Sequence, residues 1–311
     1  MIGAATRSGG FACSGVGLFP PESVNWHLTT ICNYKCRFCF MTGASVPPGS
    51  AQEHDAGLPS PAAHRLLRLL KAAGARKITY SGGDPTLCRK LPDLVQVAKS
   101  LGLTVMLVSN STGITRSFLR EAGRYLDAVK LSVESNSSSV EARMGRGSGR
   151  HVEHVLRAAD CCRRAGVRLM VNTVVTSENW MEDLHQLIRT IGPTRWKVFQ
   201  VLKVAGENEG EWSDLSVTDA QFAEFVSRHR DLGPVAEDNH LMTGSYAMLD
   251  PWGRFFQHDG ARYVYSRSVL EVGVMEALGQ VGWNQQRFLR RGGRYELESF
   301  DQELSLGAGR P

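Results

Sequence analysis

Cys32-Asn33-Tyr34-Lys35-Cys36-Arg37-Phe38-Cys39 sets three thiols at C-x3-C-x2-C spacing, directly after a segment at 23–30 that reads as a strand. One short loop thus offers three thiolates and withholds a fourth. A four-iron cluster held this way keeps one iron open to a ligand, whereas a structural zinc site is closed by four protein ligands. Zinc is the competing reading. The nearest extra donors, His27 and His54, fall outside the short spacing that zinc ligands keep.

Downstream of this loop, two hydrophobic periods alternate. Helical patterns at 61–73, 91–100, around 117–124, 151–165 and 181–191 are interleaved with strand patterns at 77–80, 103–109, 128–133, 168–175 and 195–201. With the first strand, this makes six strands separated by helices and predicts a parallel sheet that curls into a partial (β/α)6 barrel. Active sites in such barrels collect at the carboxyl ends of the strands. The segments to search are therefore 32–39, 81–85, 109–110, 132–134 and 197–200.

Residues 1–20, rich in Gly, Ala and Ser, read as a flexible leader that contains Cys13; the barrel is expected over 21–205. Beyond Gly206 the alternation stops. A helical stretch near 218–230, a hairpin through Tyr246, Asp250, Pro251, Gly253 and Phe256, and a basic tail predict an α/β extension over 206–311 that caps the open barrel.

With 42% hydrophobic and 22% charged residues over 311 positions, a sizeable core is affordable in area, and no apolar run approaches a bilayer span. No secretory signal is legible, which places the protein in the cytoplasm, and the seven cysteines read as reduced thiols rather than a disulfide framework. Cys88, Cys161 and Cys162 are assigned structural or incidental roles. The net charge of +5 comes without a basic block, so nucleic acid is not expected as a partner. Isolated Arg and Lys at strand ends suit a small polyanion instead.

The cysteine triplet after the first strand resembles the radical S-adenosylmethionine superfamily. Further motifs narrow the resemblance to its viperin-like nucleotide dehydratases: S-V-N-W-H-L-T at 23–29, S-G-G-D-P at 81–85, V-S-N at 108–110, L-S-V-E-S at 131–135, M-G-R-G-S-G at 144–149, R-W-K-V-F-Q at 195–200, G-E-N-E-G at 206–210 and R-R-G-G-R-Y at 290–295. The resemblance runs from about residue 20 to the carboxyl end.

It implies a 4Fe-4S cluster on Cys32, Cys36 and Cys39, with S-adenosylmethionine chelating the open iron. A one-electron reductant would cleave the sulfonium to a 5'-deoxyadenosyl radical. The implied reaction takes a nucleoside triphosphate, CTP in the animal enzyme, to the 3'-deoxy-3',4'-didehydro nucleotide, a terminator of viral RNA chains; this chain's departures from the family open UTP, and after it GTP, beside CTP.

By the same resemblance, Ser81, Gly82, Gly83 and Asp84 contact the cofactor's amine, Asp84 replacing the family's glutamate. Asn110 meets its ribose, and Ser132 and Arg146 hold its carboxylate. Asn25, Lys197 and Arg291 grip the triphosphate, and Tyr246 serves when the product radical is quenched. Met170 stands where the animal enzymes carry a triphosphate-binding lysine. Tyr263 falls near another, with Arg262 and Arg267 available to replace its charge.

A monomer without a membrane role is expected, since the leader lacks the amphipathic helix of the animal enzymes. Two other readings compete: a radical enzyme acting on a peptide or another metabolite, and a non-catalytic metal-binding interaction protein. The histidines, including His151 and His154, are assigned to solvent or to local hydrogen bonds. Trp283, Phe288 and Leu289 are assigned to helix packing.

Overall fold

The computed structural model describes residues 20–42, 57–260, 262–295 and 297. The leader expected at 1–20 falls outside them except for Pro20, as do Cys13 and His54. Six strands follow the expected order: β1 (Ser23–His27), β2 (Lys77–Ser81), β3 (Thr104–Ser109), β4 (Ala128–Ser132), β5 (Arg168–Val175) and β6 (Arg195–Gln200). Each pairs in parallel with the next.

The helices cover the outer face because their apolar residues recur at helical spacing. Ser60–Ala72 buries Ala63, Leu66, Leu67 and Leu70, and Leu91–Ser100 buries Leu91, Leu94, Val95 and Ala98. Both carry proline in the first turn, where the missing N–H costs nothing. Strand residues alternate, so Val24 and Trp26 join this core while Asn25 faces the opposite side. Cys161 and Cys162 are buried on His151–Arg164 and pack in the core.

The helix expected over 181–191 begins only at His185. Asn179 explains the delay: its side chain accepts from Thr176 N at 2.7 Å and donates to Glu134 O at 2.7 Å, tying the preceding chain into a turn. Leu289, expected to pack, is 43% exposed, while Trp283 and Phe288 are buried.

The region beyond Gly206 contributes more than a cap. It supplies β7 (Val235–Glu237), β8 (Ala247–Leu249), β9 (Arg254–His258) and β10 (Tyr263–Ser268), giving one ten-stranded sheet in the order β10-β9-β8-β1-β2-β3-β4-β5-β6-β7. β7 extends the sheet beside β6 in parallel, and β8 does so beside β1. The hairpin expected around Asp250 is the antiparallel pair β8–β9. The helix Asp219–Arg228 starts from a capping box between Thr218 and Gln221.

Curling follows from one contact: Lys197 on β6 lies 3.2 Å from the hydroxyl of Tyr246, just before β8, although five strands separate them in the sheet. The tail closes the amino ends of the strands, where Tyr295 and Leu297 pack on Met106, Ala128 and Met170. Among the described residues no helix is long and apolar enough to cross a membrane.

Candidate active site

The cysteine loop leaves β1 and is gripped from two sides by backbone pairing. Gly83 N donates to Thr29 O at 2.7 Å and Asp84 N to Ile31 O at 2.8 Å; opposite them, Lys35 N donates to Gly145 O at 3.2 Å and Arg37 N to Met144 O at 3.0 Å. The close approach explains two glycines. A Cβ on Gly83 would stand 2.0 Å from Ile31 O, and one on Gly145, at φ +83°, would stand 2.0 Å from Lys35 O. The Gly-Gly pair therefore admits the cysteine loop's own backbone, a nearer reason than room for a ligand.

Within the loop, Tyr34 N donates to Cys32 Sγ and Met41 N to Cys39 Sγ, both at 3.4 Å. Burial pushes the Cys36 thiol up to about 12 and that of Cys39 to about 11. Both stay protonated unless a metal takes the proton's place. Three thiols offered from one loop fit a cluster with one open iron better than a zinc ion closed by four protein ligands. His27 is no ligand either: it is wedged edge-on between Phe40 and Phe256, and burial lowers its pKa to about 4.

The carboxylate of Asp84, which the resemblance sets near the cofactor's amine, is fully buried and engaged within the protein. Oδ1 accepts from Thr86 N at 3.0 Å and Thr86 Oγ1 at 2.5 Å; Oδ2 accepts from Ser109 Oγ at 2.9 Å and Asn110 N at 2.7 Å. It is a strut between the ends of β2 and β3. Ser81, by contrast, holds a buried hydroxyl oxygen with no partner among the described residues. Asn110 donates through Nδ2 to Asn33 Oδ1 at 2.8 Å and to Cys32 Sγ at 3.6 Å, joining β3 to the cysteine loop. Ser111 beside it has φ 77°, the one non-glycine at positive φ among the described residues.

Arg146 forms a buried ion pair with Glu134, with Nη2 donating to Oε1 at 3.0 Å, and approaches Glu141 at 3.9 Å. Burial alone would lower its pKa; the charges of Glu134, Cys36 and Glu141 outweigh burial and raise it. Both carboxyls are pushed up, chiefly by burial. His151 is buried rather than solvent-facing, bonded to Ser132 O at 2.9 Å and to Tyr34 Oη at 3.4 Å, and burial drops its pKa to about 3. His154 meets the same Tyr34 hydroxyl at 3.3 Å. Sequence reasoning gave Glu134 no role; its one signal was an acid two residues past Ser132 at a strand end.

Deeper in the barrel, Lys197, Arg291 and Tyr246 meet around a second overlooked acid, Glu237. Lys197 forms a buried ion pair with Glu237, Arg291 Nη1 lies 3.7 Å from Glu237 Oε1, and Tyr246 donates to Glu237 Oε2 at 2.5 Å. The Arg291 guanidinium stacks 3.5 Å over the Tyr246 ring. Burial lowers Lys197 to about 8 against the pull of Glu237, since Arg291 and Arg195 also repel its charge. Burial raises the Glu237 pKa, but Lys197 and Arg291 bring it below the usual value. Tyr246 stays a phenol, its pKa raised by burial and by Glu237.

Asn25 faces this interior from β1, and Lys77 reaches Tyr295 O at 2.9 Å. The structure does not bring Arg262 or Arg267 here. Both are exposed beside β10, where Arg267 is 64% exposed and pairs with Glu271 at 3.4 Å. Tyr263 is buried on β10, and a register shift between Tyr265 and Ser268 breaks the alternation and leaves Arg267 exposed.

Residues 26–191 match the model of the Radical SAM superfamily. The chain is 37% identical to the S-adenosylmethionine-dependent nucleotide dehydratase of Flammeovirga pacifica, over 91% of this chain and 98% of that protein. It is 38% identical to the dehydratase of the same name in Lacinutrix mariniflava, over 88% of this chain but only 58% of that longer protein. The S-adenosylmethionine-dependent nucleotide dehydratase RSAD2 of Danio rerio is 38% identical over 91% of this chain and 80% of its own length. The solved Streptococcus suis SuiB bound to S-adenosylmethionine shares the fold, with TM-score 0.65 at 15% identity over 90% of this chain and 69% of that one. The chain belongs to the radical SAM superfamily and, within it, to the S-adenosylmethionine-dependent nucleotide dehydratases. The superfamily's cofactors are a 4Fe-4S cluster and S-adenosylmethionine.

Proposed function

We propose that this enzyme dehydrates a nucleoside triphosphate, CTP or UTP, to its 3'-deoxy-3',4'-didehydro form inside the barrel. The observation that carries the reading is the convergence of Lys197 and Arg291, from β6 and the carboxyl-terminal segment, on Glu237 in the barrel interior. Separate elements aiming cations at one point suit a compact polyanion.

A cluster on Cys32, Cys36 and Cys39, with S-adenosylmethionine on its open iron, would supply an electron and the hydrogen-abstracting radical. The chain's own part is placement. Ser81 has an unpaired hydroxyl to offer the cofactor, Asn110 and Ser132 add polar groups, and Arg146 lends a fixed positive charge. Asn25, Lys197 and Arg291 hold the nucleotide.

Removal of the 4' hydrogen atom and of the 3' hydroxyl leaves the sugar needing one electron, and the departing hydroxide needing one proton to become water. A one-electron reductant provides the first. Tyr246 can provide the proton, with Glu237 Oε2 at 2.5 Å to receive the hydrogen bond that holds the phenol in place. A product lacking its 3' hydroxyl would end a growing RNA chain, which gives it an antiviral use.

Arg291→Ala will weaken CTP or UTP binding by at least about tenfold, the loss of one charge-assisted contact. Titration calorimetry on the anaerobic holoenzyme checks this, and unchanged affinity counts against a phosphate role. Affinity will also fall as pH rises through about 8, where Lys197 loses its charge, and nucleotide binding below that pH will be less sensitive. The nucleotide-free protein moves the other way. A lysine whose folded pKa lies below its unfolded value adds stability as pH climbs from about 8 toward the ordinary lysine value of 10.5. Thermal melts with and without nucleotide across this range would separate the two trends.

A further inference from the structure

Lys130 sits on β4, half-buried, on the strand face opposite Val129 and Leu131 of the outer core. Its ammonium makes one hydrogen bond among the described residues, to Thr79 Oγ1 across on β2, at 3.4 Å. That is the weak limit of such a bond. Among the described residues no carboxylate stands within ion-pair distance of it.

The strongest charges acting on Lys130 come from Lys197, Lys77, Arg195 and Arg291, and all are positive. Burial first, and these four cations after it, lower its pKa well below that of an ordinary lysine. Lys197 in the same interior has Glu237 as its counter-charge; Lys130 has only a hydroxyl. A cation placed among cations in an enclosed space opposes folding unless an anion arrives to share it.

Strand register supplies a second, independent observation. Lys130 pairs with Met170 on β5, and residues directly opposite each other project from the same face of a sheet. Met170 is the position at which the resembling animal enzymes carry a lysine; here it joins the apolar layer of Met106, Ala128 and Leu297. A cation at 130 enters the space that one at 170 would enter.

We propose that Lys130 is a triphosphate-binding residue of this chain, with the positive charge moved by one strand from position 170 to position 130. The inference rests on the nucleotide reading above. Within that reading it names a contact that replaces the one Met170 cannot make.

The test compares the wild-type holoenzyme, Lys130→Met and Lys130→Met combined with Met170→Lys. Binding of CTP and of UTP is measured by titration calorimetry, alongside melting temperature without nucleotide. S-adenosylmethionine binding without nucleotide is the control. Lys130→Met is expected to weaken nucleotide binding by at least about tenfold, the cost of one charge-assisted hydrogen bond. It should leave S-adenosylmethionine binding unchanged and melt no lower than wild type, because an amine without a counter-charge has been replaced by an apolar side chain. The double variant is expected to regain most of the lost affinity.

Wild-type affinity in Lys130→Met overturns the assignment while leaving the dehydratase reading intact. A loss shared by nucleotide binding, S-adenosylmethionine binding and melting temperature makes Lys130 a structural residue and overturns it too. Failure of the wild-type protein to bind any of the four ribonucleoside triphosphates sinks both readings together.

Discussion

Cys36→Ala will yield a folded protein that holds no intact four-iron cluster and cleaves S-adenosylmethionine only at background rate. The two remaining cysteines cannot retain the three irons that need protein ligands, and alanine offers no donor. The barrel should survive, since the loop is pinned by backbone bonds from Gly83, Asp84, Met144 and Gly145 rather than by the sulfurs. Melting temperature of the metal-free variant should thus match that of the metal-free parent. Visible absorbance, iron content and 5'-deoxyadenosine release after dithionite reduction check the rest. A variant that keeps full colour and full cleavage would remove Cys36 from the ligand set.

Asp84→Ala will destabilise the fold by about 3–5 kcal/mol, as removal of a buried, fully hydrogen-bonded carboxylate does. Four donors lose their acceptor at once. Two of them, Thr86 N and Asn110 N, are backbone groups that cannot turn elsewhere. Asn110 also carries the link to Asn33 and Cys32, so its release loosens the cysteine loop and should weaken S-adenosylmethionine binding along with stability. Asp84→Asn keeps the volume and one acceptor but aims an NH2 at existing donors, and should fall between the alanine variant and wild type. Denaturant melts measure the first effect and cofactor titration the second. If Asp84→Ala lost cofactor binding at unchanged stability, the side chain would be a ligand contact rather than a strut.

Local features were legible before the fold was known. The strand Arg168–Val175 and the helix Leu91–Ser100 begin and end where their hydrophobic periods do, since a β-branched run and a proline-led amphipathic turn are decided by neighbours in sequence. The cysteine triplet is local for the same reason. Strands β7 and β8 have three residues each, too few to show a period, so their addition to both edges of the sheet could not be read.

The site's acids were hidden by distance. Lys197 was recognised as a lysine that burial would penalise, but its partner, Glu237, lies forty residues away and meets it only once β7 pairs with β6. Asp84 is legible as part of a motif, but its partners Ser109 and Asn110 depend on the pairing of β2 with β3. Arg262 and Arg267 look useful as charges in the sequence, but Arg262 precedes β10, Arg267 falls in its register shift, and both are exposed. Lys130 was passed over because a single lysine in a strand is unremarkable until the cations around it are known.

The most direct test of the account is anaerobic incubation of the reconstituted enzyme with S-adenosylmethionine, dithionite and each of the four ribonucleoside triphosphates in turn, following 5'-deoxyadenosine and the nucleotide's mass. The account predicts that CTP or UTP raises 5'-deoxyadenosine formation well above the nucleotide-free rate and is itself converted to a product lighter by one water. Equal cleavage with all four nucleotides and with none, and no dehydrated nucleotide, would contradict it.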